Sequence, residues 1–156
     1  MRKKEYPSPS HLKSHIGYRL RIVSNAVSHS FAKKLAALDV TVAEWVILRE
    51  MYSHEENTSP GVVAEITGLT RGAVSKLIDR LLHKGLVTRA ESSGDRRYQD
   101  IRLTPKAAKL IPKLSKIADE NDAAFFSELS QTEREVLMKT LIKLAELNKL
   151  KTNPIE

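Results

Sequence analysis

The sequence predicts a mostly α-helical fold that carries one small β-hairpin. Three observations predict it. Apolar residues recur in steps of three and four through both ends of the chain. Helix-starting residues stand between those runs: Thr41 with Glu44, Ser59 with Pro60, Thr70, Thr104 with Pro105, and Ser130 with Glu133. One stretch alone, residues 86–103, reads as strand, turn and strand.

Taken in order, the first helix covers His11 to Leu38. Leu12, Ile16, Leu20, Val23, Val27, Phe31 and Leu35 line one side of it. The Thr41–Glu44 capping box opens a second helix that runs through Trp45 and Leu48 to about Tyr52. HEENTS then reads as a polar break. Ser59 caps a short third helix with proline in its first turn, and Gly68 ends it. Thr70 caps a fourth, with Val74, Leu77, Ile78, Leu81 and Leu82 on one side, and Gly85 stops it. LVTRAE and YQDIRL are the strands, and Ser92, Ser93 and Gly94 suit the turn between them. Thr104–Pro105 opens a fifth helix, in which Pro112 predicts a kink or a late start. The last helix runs from the Ser130–Glu133 box to about Lys149, and KTNPIE reads as frayed.

The chain of 156 residues suits one domain, and 41 % hydrophobic residues suffice for a core. No apolar run spans a bilayer, and no apolar stretch follows the basic start, so no membrane partner and no secretory signal are expected. With no cysteine, disulfides, thiol catalysis and thiol-based sensing within the chain are excluded. A cytoplasmic protein is expected. The formal charge of +7 is concentrated: residues 1–13 carry a net +3 and residues 71–103 a net +4, which is the whole excess. Basic charge focused on one middle segment predicts a polyanion partner, most simply nucleic acid. No nucleophile elbow, phosphate loop or paired catalytic carboxylates are present, so no enzyme and no cofactor are expected.

Residues 60–81, PGVVAEITGLTRGAVSKLIDRL, carry the functional pattern. Ala64 is small where two helices cross, Gly68 permits a tight turn, and Val74 and Leu77 pack the second helix on the first. This is helix-turn-helix spacing, with residues 70–83 as the recognition helix. A basic hairpin directly after it makes a winged helix. The outward positions of the helix are Thr70, Arg71, Gly72, Ala73, Ser75 and Lys76, with Arg80 one turn further. Arginine and lysine suit guanine edges or phosphate, serine either, and alanine a thymine methyl. In the hairpin, Asp95 stands two residues before Arg97 and can hold its guanidinium for an A·T-rich minor groove, while Arg96 serves a phosphate. The bland alternatives are a solvated helix face and a surface ion pair.

The chain resembles the MarR family of transcription regulators over nearly its full length. The resemblance rests on TVAEWVILREMY, LTRGAVSKLIDRLLHKGLV, the Asp-x-Arg pattern in GDRRYQDIRLT, and LTPKA, in that order. It implies a winged helix-turn-helix lobe over 41–104 in a single domain of 1–156, with 11–38 and 105–150 as dimerisation helices. It implies a homodimer on a pseudo-palindromic double-stranded operator, probing the minor groove with Arg97 oriented by Asp95. It also implies release by a small aromatic or anionic effector. Independently, a first helix of ~40 Å at 1.5 Å per residue is too long for one small lobe to cover. Its apolar stripe needs a partner.

An effector site is expected where the first, second and fifth helices meet, from Tyr18, Arg19 and Trp45, with Trp45 as a core anchor the competing role. His11 and His15 stand four apart and can face one metal, but His54 with Glu55 and Glu56 would complete a site only by tertiary accident, so no metal is expected. An architectural DNA-binding protein without a sensing role is the rival to a regulator.

Overall fold

The structure is a computed structural model that describes residues 8–53, 57–91 and 99–154. Its elements are α1 (Ile16–Ala36), α2 (Val42–Ser53), β1 (Asn57–Thr58), α3 (Pro60–Thr67), α4 (Arg71–His83), β2 (Val87–Glu91), β3 (Gln99–Leu103), α5 (Pro105–Phe125) and α6 (Gln131–Leu147). The mostly helical fold with a small hairpin is therefore as the sequence predicts.

The helix starts follow the capping residues. Thr41 and Glu44 exchange their bonds, with the Thr41 N–H donating to Glu44 Oε2 at 2.8 Å and the Glu44 N–H to Thr41 Oγ1 at 3.2 Å. Ser59, Thr70 and Thr104 each accept from a backbone N–H in the following turn. Ser130 and Glu133 form a complete capping box. The helix ends follow left-handed residues. Asp39 (φ 56), Gly85 (φ 65) and Lys149 (φ 53) each turn the chain back. The next residue then donates to a carbonyl five positions earlier: Val40 to Leu35, Leu86 to Leu81, Leu150 to Ala145.

Three expectations change and one, at Pro112, is narrowed to the first of its two alternatives. The first helix does not start at His11: Leu12–Ser14 form a 3-10 turn, His15 is extended, and α1 begins at Ile16. The His15 ring causes the break, since Nδ1 meets the Leu12 carbonyl at 3.1 Å and Nε2 meets Ser10 Oγ at 3.1 Å. Part of the polar break is strand: Asn57–Thr58 pair antiparallel with β3 opposite Arg102 and Ile101, giving a three-stranded sheet in the order β1-β3-β2. Pro112 lies inside a helix that already starts at Pro105, so there is no late start. The tail is not frayed at Asn153, whose N–H donates to the Ile66 carbonyl at 2.8 Å.

Two clusters form the core. The larger fills the space between α2, α3, α4, the sheet and the start of α5, and includes Ile47, Leu48, Val74, Leu77, Leu81 and Ile101. The smaller joins Leu35, Val40 and Leu114 under Phe31. Trp45 and Leu110 touch both clusters, so they are the joint between the lobe and the long helices. Outside this joint the long helices lack cover. Leu35 is the only buried residue of α1, and α6 has none. Ile16, Leu20, Val23, Val136, Met138, Ile142 and Leu147 are exposed large hydrophobics.

Gly68 sits at φ +69, and an added Cβ would lie 3.2 Å from the Thr152 methyl carbon. Gly68→Ala should destabilise the fold by about 1–2 kcal/mol, read by urea unfolding, because L-residues resist the left-handed region. The Ser130 hydroxyl and then its backbone N–H donate to Glu133, which holds that carboxyl below its usual 4.5. A depressed folded value means that the stabilisation is present above pH 4.5 and is lost as pH falls through the folded value. The protection factors of amides in the first turn of α6, taken against the intrinsic exchange rate at each pH, should therefore fall on acidification, and a Glu133→Ala variant should lack that step.

Candidate nucleic-acid interface

The two-helix unit is built by local chemistry. Thr67 closes α3 by donating to the Val63 carbonyl at 2.6 Å, and its Oγ1 receives the Leu69 N–H at 3.3 Å. Gly68 turns the chain, and Thr70 restarts it by accepting from Ala73 N–H at 3.3 Å. Val74, Leu77, Ile78 and Leu81 bury one face of α4. That burial fixes which residues face away, since a helix advances about 100° per residue.

Two rows face solvent. One runs Arg71, Ser75, Asp79 and the other Gly72, Lys76, Arg80, and all six are exposed. Thr70 is exposed as well, with its oxygen engaged as the cap. Ala73 is half-buried and stands at the margin of this face. The structure therefore brings Thr70, Arg71, Gly72, Ser75, Lys76 and Arg80 onto one surface. The N-terminal end of α4 adds free N–H groups and a positive dipole end to the same surface.

Asp79 is the residue that sequence reasoning missed. It ends the first row with negative charge and accepts from Arg89 Nη2 of β2 at 3.3 Å. Both partners are exposed, so the pair contributes at most about 1 kcal/mol. Its role is geometric, because it fixes where Arg89 points relative to α4. No local pattern signals a pair ten residues apart across a helix end and a turn.

The hairpin rises from a fixed base. Val87 pairs with Leu103 and Glu91 with Gln99. Thr104 anchors the base to the end of the α4 unit, donating its hydroxyl to the Gly85 carbonyl at 2.8 Å. Asp95, Arg96 and Arg97 lie in the connection 92–98, outside the described residues.

The other candidates do not assemble. Trp45 packs edge-on against Phe31, with centroids 6.2 Å apart and an interplanar angle of 81°. Tyr18 is thirteen residues before Phe31 on α1, which places it ~20 Å along the helix from that contact. Arg19 donates Nε to the Lys13 carbonyl at 2.9 Å. Within one chain, then, Tyr18 and Arg19 do not share a site with Trp45. A cavity of about 190 Å³ lies between α1 and α5, lined by Val27, Ser28, Phe31 and Asn121 among others. Another of about 320 Å³ lies between α5 and α6, beside Phe126, Arg134 and Leu141. Neither is lined by Tyr18, Arg19 or Trp45. His11 and His15 do not share a helix face, because both stand outside α1 in extended conformation, and both ring nitrogens of His15 are engaged. His54, Glu55 and Glu56 lie outside the described residues. Among the described residues no three acids or histidines converge on a metal position. No described helix is long and apolar enough to cross a membrane.

Comparison with known proteins matches this geometry. The MarR family model matches residues 38–97, which is the span from the α1–α2 corner into the hairpin. The organohalide-sensing RdhR transcriptional regulator, in its 2,4-dichlorophenol-bound form, is similar at 17 % identity over 99 % of this chain and 98 % of that one, with a TM-score of 0.78. A mutant of Escherichia coli MarR complexed with operator DNA is similar at 21 % over 87 % and 99 %, with a TM-score of 0.74. MepR, a transcription regulator of the Staphylococcus aureus multidrug efflux pump MepA, is similar at 26 % over 85 % and 97 %, with a TM-score of 0.71.

Trp45→Ala removes the ring shared by both core clusters and should destabilise the fold by about 3 kcal/mol, measured by thermal unfolding.

Proposed function

We propose that this chain is a homodimeric transcription regulator of the MarR family, a repressor, that binds a pseudo-palindromic double-stranded operator; the family model over residues 38–97 and the likeness to MepR support the reading. The observation that carries the reading is the exposed face of α4. Arg71, Lys76 and Arg80 stand free of the core on a capped helix whose opposite side is fully buried. Such a face offers guanidinium and ammonium donors to guanine edges and phosphates in the major groove. Asp95, Arg96 and Arg97 follow β2 in the sequence, and in this reading Arg97 enters the minor groove with Asp95 orienting its guanidinium.

The dimer follows from the uncovered apolar faces of α1 and α6. Monomeric proteins rarely leave such stripes in water. A second copy covers them, and residues 11–38 and 105–150 form the dimerisation part of the domain, with 41–104 as the DNA-binding lobe. Two lobes related by a two-fold axis then read half-sites about 10 bp apart. RdhR bound to a dichlorophenol supports a small aromatic or anionic effector for this chain too. The effector acts by preferring dimers whose recognition helices are misplaced for DNA.

Selection of bound duplexes from a random pool at near-physiological salt should enrich a palindrome with half-sites about one turn apart. Binding without an enriched motif would favour an architectural protein. In the enriched duplex, Arg97→Ala should cost about 1–3 kcal/mol of affinity and flatten any A·T preference at the wing contact. Titration of aromatic acids followed by Trp45 fluorescence tests that ring as an effector contact: a spectrum that ignores the whole panel leaves Trp45 its core role alone.

A further inference from the structure

Lys84 closes α4 and turns its charge away from the exposed rows. Its Nζ lies 2.9 Å from Glu44 Oε2 and donates to the Asp39 carbonyl at 2.6 Å. Asp39 Oδ1 stands 3.4 Å away. The Lys84 carbonyl in turn accepts from Lys106 Nζ at 2.6 Å. The α1–α2 corner, the start of α2, the end of α4 and the first turn of α5 thus meet at one residue, the first two on its side chain and the last on its backbone carbonyl. The left-handed turn at Asp39 is what presents its carbonyl to Lys84.

Glu44 is 0 % exposed, and its Oε1 has no hydrogen-bond partner among the described residues. A buried carboxylate requires a compensating charge, and Lys84 supplies it. The clamp is not needed to build the two-helix unit, which Thr67, Gly68, Thr70 and the buried face of α4 already define. What it adds is a fixed relation between the C-terminal end of α4, the start of α2 and the α1–α2 corner. A helix of 13 residues is ~20 Å long. A tilt of about 10° at one end moves the other by roughly 3 Å, near one base step of ~3.4 Å.

We propose that Lys84 and Glu44 are positioning residues for operator recognition: their clamp sets the tilt of α4 against α2 and the α1–α2 corner, and with it the half-site spacing that the dimer accepts. The inference rests on the reading of the chain as a dimeric operator-binding protein.

The test measures affinity of the full chain for the enriched palindrome, for the same duplex with one base pair inserted or removed between half-sites, and for a random duplex. Each is repeated with Lys84→Gln and Lys84→Arg, beside thermal unfolding. Wild-type protein that does not distinguish palindrome from random duplex defeats the operator reading, and the clamp's role with it. If wild type discriminates, Lys84→Gln should lose roughly tenfold on the palindrome while random-duplex affinity holds within about twofold. The penalty for altered spacing should shrink, and Lys84→Arg should recover part of it. A Lys84→Gln protein that melts lower yet discriminates spacing like wild type overturns the proposal. Should Lys84→Gln not fold, the double variant Glu44→Gln/Lys84→Met removes both charges and keeps an acceptor for the capping box; it is judged by the same two criteria.

Discussion

A carboxylate with no exposed surface governs how this chain is put together. Glu44 caps α2 through the Thr41 N–H and takes the ammonium of Lys84 on the same oxygen. Removing one partner of a buried pair of this kind typically costs about 3–5 kcal/mol, because the other is left as an uncompensated charge. The pair is therefore a constraint as much as a source of stability. It requires the end of α4 to lie against the α1–α2 corner, and the larger core then fills the space that remains. Trp45, the next residue along, extends the same corner into the second core and meets Phe31.

This arrangement divides the labour between apolar and polar contacts. The apolar core holds α4 by one face without favouring one tilt strongly, since packed helices tolerate a range of crossing angles. Directional bonds at the C-terminal end of the helix supply what packing leaves open. Lys84, with Lys106 on its carbonyl, fixes that end, while Thr70 closes the first turn within the helix itself. The exposed rows between those ends are left free for a partner.

Much of this was legible in the sequence because it is local. Thr41–Glu44, Ser59–Pro60, Gly68, Thr70, Thr104–Pro105 and Ser130–Glu133 each lie within one turn of the element that they start or stop, and each behaves as its chemistry dictates. What stayed hidden depends on residues far apart in the chain. Asn57–Thr58 become a strand only because β3 lies beside them, forty-odd residues on. The Asp79–Arg89 pair needs the hairpin in place, and Lys84 reads as one more surface lysine until Glu44 is found buried beneath it. His15 was local and still misread, because a histidine ring that bonds back to the Leu12 carbonyl competes with the helix without disturbing the apolar spacing. The wing arginines are plain in the sequence, but residues 92–98 lie outside the described part of the hairpin.

The seat of the C-terminal tail carries a practical consequence. Asn153 bonds to the Ile66 carbonyl and Thr152 lies over Gly68, so these two residues sit beside the bend that sets α3 against α4. A fluorescent reporter attached at Thr152 or Asn153 would sit beside that bend. The same attachment offers an engineering route, because a light- or drug-responsive module grafted there would pull directly on the two-helix unit without altering a single residue of α4.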